Sequence, residues 1–154
     1  MIYKKLPIII LTMLFFISCA TPVERNFTTP SGSAEVTVMS SKEDVVNYLI
    51  NDFVNFGYSI KSQSPNNIVF EKKNLNNAEY YNVGLTVGNA YSTNSRISNL
   101  DLIKTSDGVR VIWRQNWQAI MIGGQINTRD ITNNEVFNSN MADLNKMKNI
   151  LETD

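Results

Sequence analysis

The chain has 154 residues, enough for one domain with a sizeable core, and it contains no histidine. Because histidine is the commonest general base near neutral pH and the commonest transition-metal ligand, its absence excludes Ser-His-Asp hydrolases and most zinc sites. The 14 basic side chains balance the 14 acidic ones, so the chain has no net positive charge that would indicate nucleic-acid binding. We therefore expect no nucleic-acid partner, no metal and no cofactor.

The N-terminal stretch MIYKKLPIIILTMLFFISCA has the three parts of an export signal. Lys4 and Lys5 provide the positive end, an apolar segment follows over 6–17, and small residues come after it. The apolar segment is shorter than the roughly 20 residues that a transmembrane helix needs. We therefore exclude residues 1–18 from the fold as a signal peptide. Lys4 and Lys5 leave with it, so 12 basic and 14 acidic side chains remain.

The end of this segment reads Phe16-Ile17-Ser18-Cys19 and holds the only cysteine of the chain. It resembles the lipobox of bacterial lipoproteins, in which a short apolar and small-residue run precedes a cysteine that is acylated on its sulfur. Ser18 and Cys19 match that pattern, whereas Phe16 stands where leucine is usual. The resemblance implies a lipid on Cys19 and an anchor in the bacterial cell envelope. Ala20 replaces the aspartate typical of inner-membrane retention, which implies the outer membrane, facing the periplasm.

Ordinary secretion is the alternative interpretation of the same residues. Ser18-Cys19-Ala20 also fits the small-x-small rule for cleavage after Ala20, which would leave a soluble secreted protein without cysteine. If Cys19 is lipidated instead, its thiol becomes a thioether and can neither attack a substrate nor form a disulfide. Both interpretations therefore exclude cysteine chemistry from the mature domain.

The segment 19–33 contains TPVERNFTTPSGS, which is rich in proline, glycine and hydroxyl residues and has no hydrophobic periodicity. It predicts a flexible tether, followed by a single domain over 34–154. The domain begins with a short strand, AEVTVM, in which apolar and polar side chains alternate. A helix follows, from a capping box of Ser40 and Glu43 to a C-terminal cap at Gly57.

Alternating or β-rich runs after this helix predict five more strands. These strands cover 58–62, 68–72, 80–88, 96–104 and 109–121. Ser106-Asp107-Gly108 is a strong turn signal between the last two. Gly123-Gly124 indicates a bend where the chain leaves the sheet, so 120–126 is interpreted as an apolar loop. A helix over 134–152 closes the chain.

The predicted element order is β-α-β-β-β-β-β-α, which is typical of an α+β domain. An antiparallel sheet of about five to six strands, with the two helices packed on one face, buries every apolar stripe. The polar alternation of the strands then lets the other face, called here the open face, remain hydrated. Taken whole, the chain resembles small bacterial lipoproteins that present one such domain behind a tether.

Two sets of side chains on the predicted strands are candidates for binding. Trp113 and Trp117 lie on one side of a strand, either as an aromatic platform or, as we favour, as core residues under the helices. Arg110 and Arg114, with Arg96 on the neighbouring strand, form a possible basic stripe on the open face for a carboxylate or phosphate group. Ion pairs on a hydrated sheet face explain these arginines equally well, and pairing with Asp101 or Glu71 would remove the stripe.

The carboxylates of the chain show no spacing that demands paired acid and base catalysis. The sequence therefore favours a non-catalytic binding or scaffold module that holds an envelope protein partner through the open face or a strand edge. A carboxylate-dependent hydrolase acting on envelope polymer is the alternative. A cleft lined by converging acids would favour the hydrolase, and a flat polar sheet with an exposed edge would favour the binding module.

Overall fold

The structure is a computed structural model that describes residues 27–73, 91–121 and 123–153. These residues form six strands and two helices: β1 (Ala34–Val38), α1 (Lys42–Asn55), β2 (Ser59–Ser64), β3 (Asn67–Lys73), β4 (Tyr91–Thr105), β5 (Gly108–Met121), β6 (Ile126–Asp130) and α2 (Asn134–Thr153). The strand predicted over 80–88 lies outside the described residues. No helix within the described ranges is long and apolar enough to cross a membrane.

All six strands join one antiparallel sheet in the order β1-β5-β4-β3-β2, with β6 also paired to β5. The length of β5 makes this arrangement possible. Its first half pairs with β1, from Val109 to Trp113, and its second half pairs with β6, from Asn116 to Ile120. The predicted α+β class, with an antiparallel sheet and two helices packed on it, is confirmed.

Strand β6 is a correction to the sequence analysis, which placed the exit from the sheet at Gly123-Gly124. Both glycines have positive φ angles, 111° and 86°, and they turn the chain back so that Ile126 pairs with Ile120. The segment 120–126 is therefore a hairpin. Periodicity could not reveal β6, because all five of its residues are exposed and no buried face marks its sequence.

Helix α1 begins one residue later than the predicted capping box. Ser41 is the N-cap, and its hydroxyl oxygen accepts a hydrogen bond from the backbone N–H of Asp44 at 3.1 Å. The C-terminal prediction is confirmed, since Gly57 has a φ of 81° and its N–H donates to Val54. The N–H of Tyr58 donates to the carbonyl of Phe53, which completes a Schellman motif.

The core lies between the helices and one face of the sheet. From α1, Phe53 stacks on Phe70 of β3 with ring centroids 4.3 Å apart, and it lies 5.1 Å from the ring of Trp113 of β5. Helix α2 contributes Leu144 and Met147, both almost fully buried. Burial of such side chains stabilises the fold by about 1.5–3 kcal/mol each.

Helix α2 also covers the outer edge of β1. The ammonium group of Lys148 donates to the carbonyl of Thr37 at 3.0 Å, and the carboxylate of Glu152 accepts from the N–H of Met39 at 2.7 Å. These side chains satisfy backbone groups that an edge strand would otherwise present to another chain.

The described end of the predicted tether packs on the domain. Phe27 stacks on Phe137 of α2 with centroids 4.7 Å apart and an interplanar angle of 24°. The hydroxyl of Thr29 donates to the carbonyl of Ser33 at 2.6 Å, and Gly32 donates to the carbonyl of Thr29 at 3.0 Å. Phe27 of the predicted tether therefore contacts α2, although it precedes residue 34.

Candidate functional site

The open face carries arginines that are already paired. Arg110 Nη2 of β5 donates to both carboxylate oxygens of Glu35 of β1, each at 2.8 Å. Arg114 of β5 forms an ion pair with Asp101 of β4. Burial opposes ionisation of Glu35, but hydrogen bonds from Ser31 and Arg110 and the charge of Arg110 outweigh it and hold the pKa of Glu35 below its usual value.

A second set of polar contacts links the remaining central strands on this face. Glu71 of β3 pairs with Lys61 at 3.2 Å and with Lys73 at 3.5 Å, and it accepts from the hydroxyl of Ser95 at 3.2 Å. Burial raises the pKa of Glu71, but these partners outweigh burial and lower it overall. Asn67 Nδ2 donates to Asp101 Oδ1 at 2.8 Å. On the open face, the ion pairs of Arg110 with Glu35, Arg114 with Asp101 and Lys61 with Glu71 thus each link two strands.

Arg96 lies on the other face, so the predicted stripe of Arg96, Arg110 and Arg114 is wrong. In the antiparallel register Arg96 is paired with Trp117, whereas Arg114 is paired with Asn99. Side chains alternate along each strand, so Arg96 shares the helix-covered face with Trp117 and Arg114 points to the open face.

Both tryptophans are core residues, as the favoured interpretation predicted. Trp113 is 7% exposed and Trp117 is 1% exposed, so neither forms an exposed aromatic platform. Trp113 packs against Phe53 of α1 on one side. It also lines a cavity between the two helices.

This cavity, called here the interhelix cleft, has a volume of about 290 Å³. It lies between the C-terminal half of α1 and the N-terminal half of α2, above the middle of the sheet. Its lining residues are Asp52, Phe53, Phe56, Tyr58, Lys72, Arg96, Trp113, Gln115, Ile131, Glu135, Val136, Ser139, Asn140 and Asp143. Aromatic rings, amides and charges of both signs therefore meet in one small volume.

The cleft exists because the helix-covered face changes character along the strands. Toward one end of the sheet, Leu100 and Leu102 of β4 and Val111 of β5 are fully buried in the apolar core. Toward the other end the corresponding positions are Arg96 and Gln115, which cannot fill an apolar interior. These two polar side chains interrupt the apolar packing beside the buried Trp117, and a polar recess forms there.

Three buried N–H donors of the cleft lack an acceptor within the described part of the chain. They are Arg96 Nε, Trp113 Nε1 and Asn140 Nδ2. Asn140 is only 3% exposed, and its Oδ1 accepts from Gln115 Nε2 at 3.2 Å. An unsatisfied buried donor costs about 1–3 kcal/mol, so these groups need an acceptor from water or from a bound molecule.

The helices contribute acidic groups to the same cleft. Burial and the charge of Asp52 raise the pKa of Asp143, and Lys146 only partly offsets them. Burial and the charges of Asp52 and Asp143 also raise the pKa of Tyr48. On the strand side, Lys72 lies over the ring of Tyr58 at 5.8 Å from its centroid. Carboxylates from the helices thus oppose cations from the strands.

Gln115 and Asn140 are not among the site residues predicted from the sequence, although the pattern around each of them contains a signal. Gln115 interrupts an alternating series that runs Val109, Val111, Trp113 on the same side of β5. Asn140 lies three residues after Phe137, at the spacing that normally continues an apolar helix face. A polar residue at an apolar position is informative in both cases, because burial of an amide requires a partner.

Comparisons of this chain with protein-family models, with curated proteins and with solved structures gave no match. Among residues 27–73, 91–121 and 123–153, no group of three cysteine, aspartate or glutamate side chains is arranged to hold a metal ion.

Proposed function

We propose that this protein is a lipid-anchored module of the bacterial cell envelope that binds a protein partner through the interhelix cleft, without catalysis. The observation that carries the proposal is a set of three buried donors that have no acceptor among the described residues: Arg96 Nε, Trp113 Nε1 and Asn140 Nδ2. A binding partner that brings acceptors satisfies these donors in the bound state. The lipid on Cys19 holds the domain at the membrane, since each buried methylene contributes about 0.8 kcal/mol.

The cleft is a better binding surface than the open face. A partner on the open face would have to compete with the contacts between Arg110 and Glu35 and between Arg114 and Asp101. Breaking such a pair leaves a partly buried charge without its partner. In the cleft, the donors of Arg96 and Asn140 are available without loss of any existing contact among the described residues.

The sheet edges are weaker candidates for the same function. Strands β2 and β6 are exposed along their whole lengths, which makes them possible sites for an added strand. They are only 6 and 5 residues long, and Lys61 and Arg129 place charges on them. Short, charged edges are the usual means by which proteins avoid strand addition.

Catalysis by a pair of acids is the second candidate, because Asp52 and Asp143 both line the cleft and the charge of Asp52 helps to raise the pKa of Asp143. A general acid must hold its proton near the working pH, which requires a strongly raised pKa. Asp143 is an exposed residue, so solvent screens the effect of Asp52 on it. We therefore favour binding, and hydrolysis of envelope polymer that is lost in both Asp52→Asn and Asp143→Asn would reverse this preference.

Site-specific crosslinking in the native host tests the cleft as the binding surface. Phe56 lines the cleft and is 60% exposed, so a photoreactive phenylalanine analogue at this position reaches any occupant. Ile103 on the open face, 45% exposed, is the matched control position. We expect a protein adduct from position 56 that Arg96→Gln abolishes, and none from position 103. Adducts from 103 alone would move the binding surface to the open face.

The anchor is tested by intact mass and membrane fractionation of the native protein beside Cys19→Ala. We expect a mature chain that begins at Cys19, carries a lipid-sized mass increment and sediments with the outer membrane. The Cys19→Ala variant should lack the increment. A soluble mature chain that begins at Thr21 would replace the lipoprotein proposal with ordinary secretion.

A further inference from the structure

The charges of the interhelix cleft are mixed, and this narrows the chemistry of its occupant. Cationic side chains, Lys72 and Arg96, come from the strands, whereas the acidic side chains, Asp52, Glu135 and Asp143, come from the helices. A simple anion would be attracted by the N–H donors and repelled by the carboxylates. A simple cation would be attracted by the carboxylates and repelled by Lys72 and Arg96. The occupant that satisfies both sides carries an acceptor and a cation close together.

On the basis of the proposed binding function, we infer that the cleft recognises the free C-terminus of its protein partner. The terminal carboxylate accepts hydrogen bonds from Arg96, Trp113 and Asn140. A basic side chain within one or two residues of that terminus lies against Asp52 and Asp143.

A carboxylate fits the number and kind of the donors. The three buried N–H groups that lack an acceptor among the described residues belong to a guanidinium, an indole and an amide, and all three donate hydrogen bonds to an anion without first gaining a proton. An ionised carboxylate offers about four acceptor positions, whereas a backbone carbonyl offers two. A hydrogen bond between Arg96 and an ionised oxygen is also about twice as strong as one between neutral groups.

The size of the cleft favours a chain end over a chain that passes through. Its volume of about 290 Å³ is at the lower limit of ligand pockets, which range from roughly 300 to 1,000 Å³. One or two residues fill such a volume. Phe53, Phe56 and Tyr58 add aromatic surface for the terminal side chain.

The acidic groups on the helix side of the cleft favour a basic side chain in the partner. Burial and Asp52 both oppose ionisation of Asp143, and Lys146 is the only cation that offsets them among the described groups. A cation from the partner, placed near Asp52 and Asp143, relieves this repulsion. The same acids repel partners that have an acidic side chain, instead of a basic one, next to the terminal carboxylate. This repulsion provides specificity as well as affinity.

Titration of the full mature chain in detergent with four short peptides tests the inference. The probe is N-acetylated lysyl-alanyl-phenylalanine with a free carboxylate. The first control is the same peptide with a C-terminal amide. The second is N-acetylated alanyl-alanyl-phenylalanine with a free carboxylate, and the third is N-acetylated lysyl-aspartyl-phenylalanine with a C-terminal amide. We expect the amide to bind at least about tenfold more weakly and the alanine peptide about threefold to tenfold more weakly.

Two protein variants complete the test. Arg96→Gln should weaken binding of the free acid about tenfold and leave the amide nearly unchanged, whereas Arg110→Gln on the open face should change neither. Equal binding of acid and amide would overturn the inference even if Arg96→Gln failed to fold. Tight binding of the aspartate amide would assign the carboxylate to a side chain and also overturn it.

The result is separable from that of the proposed function. If position 56 crosslinks to a partner but none of the four peptides binds, the binding module stands and recognition of the C-terminus is wrong. If position 56 also gives no adduct, both the proposed function and the inference built on it fall.

Discussion

The open face and the interhelix cleft both contain arginines and carboxylates, and they differ in how these groups are paired. On the open face, Arg110 donates to both oxygens of Glu35 and Arg114 pairs with Asp101. In the cleft, Arg96 Nε is buried and without an acceptor within the described residues. Charges that are paired across strands contribute to the structure of the sheet. Buried donors without an acceptor in the fold are instead candidates for binding a ligand.

The largest effect on the free energy of unfolding is expected at Gly108, in the turn between β4 and β5. This turn sets the register that places Arg96 and Arg114 on opposite faces of the sheet. A Cβ at Gly108 would lie 2.0 Å from the carbonyl oxygen of Val38, and its φ of 140° is strained for other residues. Gly108→Ala should therefore cost about 3 kcal/mol or more of the free energy of unfolding, measured with denaturant. Gly124→Ala is the control, since its φ is 86° and no atom is within 4 Å of its Cβ, so about 1 kcal/mol is expected.

The comparison of the two surfaces is tested directly by Glu35→Gln and Arg96→Gln. The Glu35 side chain is 8% exposed and holds Arg110, so its loss should cost about 1–3 kcal/mol of unfolding free energy. Arg96→Gln removes a buried donor that has no acceptor among the described residues, so it should not lower the free energy of unfolding. If Arg96→Gln were the more destabilising variant, Arg96 would have a structural role and the contrast between the two surfaces would be lost.

The open face should also make stability depend on pH. Glu35 and Glu71 have pKa values below the usual 4.5, so their ionised forms stabilise the folded state above that value. This contribution is lost as pH falls through the lowered pKa values, so we expect decreasing stability below about pH 4.5. Denaturant midpoints measured between pH 7 and pH 3 test this, and Glu35→Gln should reduce the slope. An unchanged slope would show that Glu35 contributes nothing to it.

The smallest effect on stability is expected at Asp143. Its pKa is raised, so its pH dependence has the opposite sign to that of Glu35 and Glu71. Burial and Asp52 raise the pKa of Asp143, so its ionised form opposes folding above that pKa and this penalty disappears as pH falls. Solvent screens the group, so Asp143→Asn should raise stability at pH 7 by only a few tenths of a kcal/mol. Thermal unfolding of Asp143→Asn measures this difference in stability. Lys146→Gln, which removes the compensating positive charge, is measured for comparison. A less stable Asp143→Asn variant would indicate a partner for Asp143 that the cleft proposal does not include.

Part of the site was predictable from the strand turn alone. Ser106-Asp107-Gly108 was recognised as a turn, and a two-residue hairpin loop pairs Thr105 with Gly108. Counting back along both strands from that pair places Arg96 opposite Trp117, on the face that also holds the buried tryptophans. The register of this hairpin therefore assigns Arg96 to the helix-covered face and not to the open face, because the side-chain period of a strand is two.

Local sequence determined the elements whose signals lie within a few residues of each other. The apolar stripe of α1, the cap at Gly57 and the β2–β3 hairpin depend on spacing and turn chemistry alone. Tertiary structure decided which distant groups meet. Glu35 reaches Arg110 because β1 pairs with β5, 75 residues away in sequence, and Asn140 covers Gln115 because α2 returns over the sheet. Local periodicity carries no information about these encounters, since the burial of the whole sheet selects them.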